Sequence, residues 1–142
     1  MPVPNANRNR VDKLTDKSAF SGLSIICINA WSLVNKFSLF ELFLWKLNSK
    51  GVVPDIIAVS ETFFTNQLYM SLYDLPEYNA IHFYRPSERR GGGVSLYIKR
   101  SLQIHPNIIK KNCNDVQFLL VNLKNIDVNV CVTYRPPSSI FF

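Results

Sequence analysis

Three polar side chains stand at the ends of apolar, strand-like runs. Glu61 closes PDIIAVSE, Asn29 lies near the end of SIICINA, and Tyr134 closes NVCVTY. A carboxylate at a strand end can hold Mg²⁺, whose remaining ligands come from water and phosphate, and an amide or a phenol can hydrogen-bond a phosphate oxygen. The ordinary alternatives are a surface acid or helix N-cap, an Asx turn and a half-buried tyrosine. Together, the three are candidates for a phosphate and metal site, and the ordinary alternatives stay open at this point.

Four arginines are candidate contacts to a DNA backbone. Arg85, Arg89 and Arg90 bracket the glycines of ERRGGGV, and Arg135 follows Tyr134 directly. Guanidinium groups bind phosphate bidentately, and glycine lets the backbone approach closely. A charged hairpin tip is the alternative for the first three. The spacing matches neither GxGxxG nor a Walker loop, so a nucleotide site is not predicted.

The histidines and cysteines carry no recognisable chemical pattern. His82 lies in an alternating strand with no acidic residue beside it, and His105 precedes a proline, so both are predicted to be structural. Cys27, Cys113 and Cys131 show no CxxC spacing. They are predicted to be buried free thiols in a reducing compartment.

The order of the first elements would bring Asn29 and Glu61 to one edge of a sheet. A strand over 24–30 is followed by an amphipathic helix over about 36–48, and a second strand covers 55–60. Strand, helix and strand in that order predict a crossover with the two strands parallel. Their carboxyl ends then meet at the same edge.

The rest of the chain predicts a mixed sheet with only one cover. AIHFYR and GVSLYIKR are predicted to pair across the glycines, and DVQFLLVNL and NVCVTYRPP are predicted as two more strands separated by a turn. The helix can cover one face of such a sheet, but no other segment is predicted to cover the second face. Self-association through that uncovered face is therefore expected.

Charge favours a polyanionic partner. The 142 residues contain 16 Lys and Arg against 10 Asp and Glu, a net charge of +6. Nucleic acid and acidic membrane surfaces are both such partners, and charge alone does not choose between them. DNA is the expected partner, while a solvated basic surface without a partner is the alternative. Residues 1–21 are predicted to be a mobile basic lead, and 22–142 the folded part. No secretion signal or membrane span is predicted, which favours a nuclear or cytoplasmic location.

Five ordered blocks carry a resemblance to a known family. They are INAWSLVNK (28–36), PDIIAVSET (54–62), LPEYNAIHFYR (75–85), RRGGGVSLYIK (89–99) and VTYRPPSS (132–139). In this order they resemble the endonuclease/exonuclease/phosphatase superfamily, and most closely the apurinic-type endonuclease domain of non-LTR retrotransposons. RRGGGV and YRPP favour the retrotransposon branch, in which the domain belongs to a reverse-transcriptase-type protein.

The resemblance implies an α/β fold and a reaction. The family fold is a DNase I-like, four-layered α/β sandwich of two packed sheets, of which this chain would form a part, mainly one mixed sheet with a covering helix. The implied reaction is Mg²⁺-dependent attack of water on a DNA phosphodiester. By resemblance, Asn29 matches the active-site asparagine, Glu61 the metal-binding glutamate and Tyr134 the phosphate-contacting tyrosine.

Two motifs of the family are missing after the YRPP block. Neither the GDFN-like segment nor the Ser-Asp-His motif is found, so general acid/base chemistry has no obvious agent. The chain is therefore predicted to be a C-terminally truncated endonuclease domain that is inactive by itself. The alternatives are a non-catalytic nucleic-acid binder, which uses Arg89, Arg90, Lys99, Arg100 and the basic lead, or an unstable remnant without function.

Overall fold

The computed structural model describes residues 22–66, 69–85, 91–105 and 107–137. The predicted basic lead, 1–21, lies outside the described residues. In chain order the elements are β1 (Ile25–Asn29), α1 (Leu33–Ser49), β2 (Ile56–Ser60), a 3₁₀ helix (Met70–Tyr73), β3 (Tyr78–Phe83), β4 (Val94–Lys99), β5 (Ile109–Cys113), β6 (Val116–Leu123) and β7 (Val128–Tyr134).

The first sheet has four strands in the order β1-β2-β4-β3. β1 and β2 are parallel, with Asn29 opposite Ser60, which confirms the predicted crossover. β4 runs antiparallel to both β2 and β3, and Phe83 pairs with Val94 across the glycine segment, so the predicted pairing of these two strands is also confirmed. The sheet is therefore mixed, and α1 connects the two strands of its parallel pair, β1 and β2.

The second sheet is antiparallel, in the order β5-β6-β7. β5 was not expected from the sequence, because its residues IKKNC are all exposed and show no apolar alternation. A tight turn at Asn114 and Asp115 joins it to β6, and both turn residues have positive φ, 48° and 67°. Two-residue hairpin turns of type I′ require positive φ at both central residues, and asparagine and aspartate adopt it more readily than most residues. The turn therefore specifies β5, whereas the side chains of β5 do not predict a strand.

Each face of the first sheet is covered. Phe40 of α1 packs on one face with Ile57 and Tyr97, while Leu119 and Val121 of β6 lie in the core on the other face. The prediction that this sheet would keep a bare face is wrong, because alternate residues of β6 and β7 point toward it. The structure confirms the predicted α/β class, since two packed sheets and one main helix form a partial α/β sandwich.

No helix among the described residues covers the outward side of the second sheet. Phe118 and Leu120 of β6 are half-buried there, and Cys131 and Thr133 of β7 are exposed. Self-association through an uncovered face stays a prediction, and it now concerns this face. None of the helices described is long and apolar enough to cross a membrane.

The three cysteines are free and exposed, so the prediction of buried thiols is wrong. Cys27 lies in β1, Cys113 in β5 and Cys131 in β7, and each of these strands is at the edge of its sheet. Cys131 is exposed because it points away from the first sheet, while its neighbours Val130 and Val132 are buried. Cys113 belongs to β5, all of whose residues are exposed.

Candidate active site

The backbone holds the ends of β1 and β2 together. Asn29 is opposite Ser60, and the chain continues to pair beyond the strands. The Ala30 N–H donates to Ser60 O at 2.9 Å, and the Ser32 N–H donates to Glu61 O at 2.9 Å. The two sequence-predicted residues Asn29 and Glu61 are therefore placed at the same edge of the first sheet.

Glu61 has an unusual backbone conformation and an available carboxylate. Its φ is 54°, in the left-handed region that costs a non-glycine residue free energy. Bonds from the next two residues hold it there: the Thr62 N–H donates to Gly93 O at 3.3 Å and the Phe63 N–H to Gly92 O at 2.9 Å. Among the described residues the half-buried carboxylate has no hydrogen-bond or ion-pair partner. Such strain is characteristic of functional positions.

Asn29 forms an Asx-type turn at the end of β1. Its Oδ1 accepts the Trp31 N–H at 3.1 Å, and the side chain is exposed. This bond is the ordinary strand-end role considered for Asn29, and it uses the oxygen only. Among the residues that the structure describes, no acceptor takes the Nδ2 hydrogens, so they can donate to an anionic oxygen at this edge.

Tyr134 reaches this edge from the second sheet. Its ring lies against the glycine segment, since a Cβ on Gly92 would be 3.2 Å from Tyr134 Cε1 and one on Gly91 would be 3.7 Å from Oη. The same segment is bonded to the residues after Glu61. Burial raises the pKa of Tyr134, and the charge of Glu61 raises this pKa further. Glu61 and the phenol therefore lie within electrostatic reach of each other.

Arg85 is buried beside Tyr134. Its guanidinium carbon is 6.0 Å from the centre of the tyrosine ring, and Nη2 is 3.6 Å from Asp115 Oδ1. Its charge lowers the pKa of Tyr134, in opposition to Glu61. Arg85 therefore lies at the site, with part of its charge engaged by Asp115.

The other predicted DNA contacts are placed differently. Arg135 is exposed and follows Tyr134 directly in the chain, so its role as a DNA contact stays a prediction. Arg89 and Arg90 lie outside the described residues, so their role as contacts stays a prediction.

Two further basic residues lie at the other end of the first sheet, where β2 begins and β4 ends. Lys99 ends β4, and its Nζ is 3.4 Å from Asp55 Oδ1, directly before β2 begins. Arg100 donates from Nε to Pro76 O at 2.7 Å. Because β4 is antiparallel to β2, this end is remote from Glu61, and Lys99 and Arg100 do not join Arg85 there. Arg89, Arg90 and the basic lead lie outside the described residues, so the alternative of a non-catalytic binder stays a prediction.

Sequence reasoning missed Gln117, which is fully buried in β6. Its Oε1 accepts the Gly93 N–H at 2.7 Å, and its Nε2 donates to Tyr84 O at 3.1 Å. A signal was present in DVQFLLV, where the alternation that buries Leu119 and Val121 also places this amide in the core. A buried amide needs partners, so its position indicated a bonded role.

His82 is buried, as its predicted structural role requires, but it has partners that sequence did not indicate. Nδ1 is hydrogen-bonded to Ser95 Oγ at 2.7 Å and Nε2 to Asp74 Oδ1 at 3.0 Å. The expectation that no acid accompanies it holds along the strand but is wrong in space, because Asp74 approaches from the segment before β3. Ser95 is fully buried and cannot act as a nucleophile, so Ser95, His82 and Asp74 form a structural network.

The oxygen donors at this edge supply part of the ligand set that Mg²⁺ needs. Glu61 offers a carboxylate that has no partner among the described residues, and carboxylates are ligands that Mg²⁺ accepts. Among the residues that the structure describes, no group of three or more His, Cys, Asp and Glu could hold a metal. Mg²⁺ commonly keeps several waters and uses one or two carboxylates with substrate phosphate, so a single glutamate fits such a site without forming a cage.

No known protein family and no curated protein matches this chain. Solved structures do resemble it. The human Nocturnin catalytic domain with bound sulfate anion has 13% identity and a TM-score of 0.49, and the match covers 78% of this chain and 48% of that one. A humanized D. rerio TDP2 with 14 mutations has 15% identity, a TM-score of 0.45 and the same two coverages.

A third similar structure is ANGEL2, described as a 2′,3′-cyclic phosphatase. It has 16% identity and a TM-score of 0.44, with 78% of this chain and 39% of that chain covered. This chain therefore spans less than half the length of each of the three. At these identities and TM-scores the likenesses assign neither a family nor an activity.

Proposed function

We propose that this chain carries part of the site of a Mg²⁺-dependent DNA endonuclease of the endonuclease/exonuclease/phosphatase superfamily, of the retrotransposon type. The observation that supports it is one edge where Asn29 and Glu61 leave adjacent parallel strands and Tyr134 arrives from the second sheet. The retrotransposon origin rests on RRGGGV and YRPP in the sequence. The net charge of +6 suits a DNA substrate.

Each side chain has a role in binding a phosphodiester. Glu61 would hold Mg²⁺, which supplies Lewis-acid stabilisation of the phosphate charge when it is bound. Asn29 would donate from Nδ2 to a phosphate oxygen. The Tyr134 phenol is protonated at neutral pH, as tyrosines ordinarily are, and can donate as well. Arg85 and Arg135 would balance the charge of the DNA backbone.

We further propose that this chain binds metal and phosphate without cleaving the phosphodiester by itself. General acid/base chemistry commonly uses histidine, and the chain has His82 and His105. His82 is buried and bonded to Ser95 and Asp74. The His105 N–H donates to Asn122 O, at the end of β6 that is remote from Gln117 and Tyr134. Neither histidine accompanies Glu61.

The test is DNA affinity with Mg²⁺ and with EDTA, for wild type, Glu61→Gln and Glu41→Gln. Glu41 is an exposed acid on α1 and serves as the matched control. Mg²⁺ should strengthen binding by wild type and Glu41→Gln but not by Glu61→Gln. An equal response of Glu61→Gln to Mg²⁺, or no response by wild type, would refute the metal site.

Nicking of supercoiled plasmid tests the second part of the proposal. Wild type and Glu61→Ala should both leave the plasmid intact in Mg²⁺. Mg²⁺-dependent nicking by wild type that Glu61→Ala abolishes would support the site and reject the proposed lack of cleavage. Nicking that persists in Glu61→Ala would reject the assignment of Glu61.

A further inference from the structure

Trp31 is exposed next to the candidate site. It lies two residues after Asn29 and is 69% exposed, although tryptophan is among the side chains that gain most from burial. Its φ is 44° and that of Ser32 is 78°, so two successive non-glycine residues adopt the left-handed conformation. For a bulky side chain such a backbone is an outlier with a free-energy cost. Burial of the indole does not offset this cost, because the ring is in solvent.

Bonds to the candidate site residues hold Trp31 in place. Its own N–H donates to Asn29 Oδ1 at 3.1 Å, and the next N–H, of Ser32, donates to Glu61 O at 2.9 Å. The backbone of the tryptophan is thus tied on one side to the proposed phosphate donor and on the other to the proposed metal ligand. The indole is presented from the rim of the site by a segment with little freedom to move.

We propose that Trp31 is a stacking platform for a nucleobase beside the phosphate held at Asn29 and Glu61. The inference rests on the proposed function and extends it to a substrate class. Aromatic side chains stack on any base, and the bases of a regular duplex already have both faces covered by their neighbours. The preferred substrate is therefore DNA with an unpaired or unstacked base next to the bound phosphate.

Trp45 offers an internal comparison. It lies on α1, is 65% exposed, and is about 18 Å along the helix axis from the first residue of α1. Leu39 and Leu42 are also exposed on this helix, so an apolar contact with another protein would cover Trp45 and its neighbours. A base at the candidate site would cover Trp31 alone.

The chain has two tryptophans, so each can be observed by itself. Trp45→Phe leaves Trp31 as the only tryptophan, and Trp31→Phe leaves Trp45, so excitation that is selective for tryptophan observes one of them at a time. Addition of single-stranded oligothymidylate should quench the Trp31 emission and leave the Trp45 emission unchanged. A duplex of the same length should quench Trp31 less at equal occupancy.

Affinities measured by anisotropy complete the test. Trp31→Gly should weaken single-strand binding by at least about fivefold, whereas Trp45→Gly should not. Glycine suits the left-handed backbone at position 31, so loss of folding is not expected there. Trp31→Phe, which keeps an aromatic face, should recover part of the affinity. An abasic strand should bind wild type and Trp31→Gly equally.

The outcomes separate this inference from the proposed function. If single strands bind but neither quench Trp31 nor distinguish Trp31→Gly from wild type, the stacking role is refuted while the site stands. Equal quenching of both tryptophans would also refute it, in favour of a broad contact along α1. Absence of any DNA binding by wild type at low salt would refute the proposed function and the inference with it.

Discussion

The buried side chain of Gln117 is bonded to the backbone of Gly93, with 2.7 Å between Oε1 and the glycine nitrogen. Gln117 belongs to the second sheet, where it pairs with Tyr134, and Gly93 leads into β4 of the first sheet. Gly93 O in turn accepts the Thr62 N–H, next to Glu61. A continuous set of bonds therefore links the two sheets at the point where the proposed phosphate and metal ligands meet.

Replacing Gln117 with leucine should loosen the segment after Glu61. The change leaves the Gly93 N–H and Tyr84 C=O without their partner in the core, and the free energy of unfolding should fall by roughly 2 kcal/mol or more. Amide hydrogen exchange at Thr62 should accelerate relative to Ala58 inside β2. Leu119→Ala, on the same face of β6, should lower stability through lost packing but keep the ratio of the two exchange rates. An unchanged ratio in Gln117→Leu would contradict the linking role.

Gly93→Ala should destabilise the fold for two separable reasons. The backbone φ is 83°, which favours glycine, and a Cβ there would overlap Thr62 Oγ1. Denaturant unfolding should show a loss of more than about 2 kcal/mol, against almost none for Gly22→Ala, where a Cβ meets nothing within 4 Å. In a Thr62→Ala background the cost of Gly93→Ala should fall to about 1 kcal/mol, the backbone contribution. Equal costs in both backgrounds would exclude the overlap as a cause.

Stability should decrease in acid because of His82. Burial lowers the pKa of His82 below 6.5, and this effect exceeds the opposing hydrogen bond and charge of Asp74. Below pH 6.5 the unfolded chain binds a proton that the folded chain does not, so stability falls as the pH drops from 6.5 toward the lowered pKa. The slope should reach at most about 1.4 kcal/mol per pH unit for this group.

The measurement for His82 is the free energy of unfolding in denaturant at pH 7.5 and at lower pH. His82→Gln should flatten the dependence, since glutamine does not titrate. His105→Gln makes the same substitution at a half-buried position and serves as the control. A slope that persists in His82→Gln would assign the effect to other groups.

Glu61→Gln should lower the pKa of Tyr134 without restoring its ordinary value. Burial is the larger cause of the raised pKa and remains in the variant, while the contribution of the Glu61 charge is lost. Titration of the tyrosine ring signals by NMR would measure the change. Glu77→Gln is the matched control, because the charge of Glu77 raises the pKa of Tyr78 instead. No change at Tyr134 in Glu61→Gln would place the two groups farther apart than the structure has them.

Much of the first sheet follows from local sequence patterns. The helix between two apolar runs predicted the parallel pair, and the structure confirms it, although α1 begins at Leu33, before the predicted start at about 36. The second sheet was only partly predictable. Its strands β6 and β7 alternate, but β5 has exposed residues throughout and depends on the turn at Asn114 and Asp115. A strand whose side chains face solvent leaves no hydrophobic pattern to detect.

By itself, the sequence determined that Asn29 and Glu61 share one edge, because a helix that connects two successive strands makes them parallel neighbours in one sheet. Only the tertiary structure decided that Tyr134 arrives at this edge, that Gln117 ties the two sheets together there, and that Lys99 lies at the other end of the first sheet. These relationships join elements far apart along the chain. They depend on how two sheets pack and in which direction each strand runs, and residue spacing within one element does not encode either.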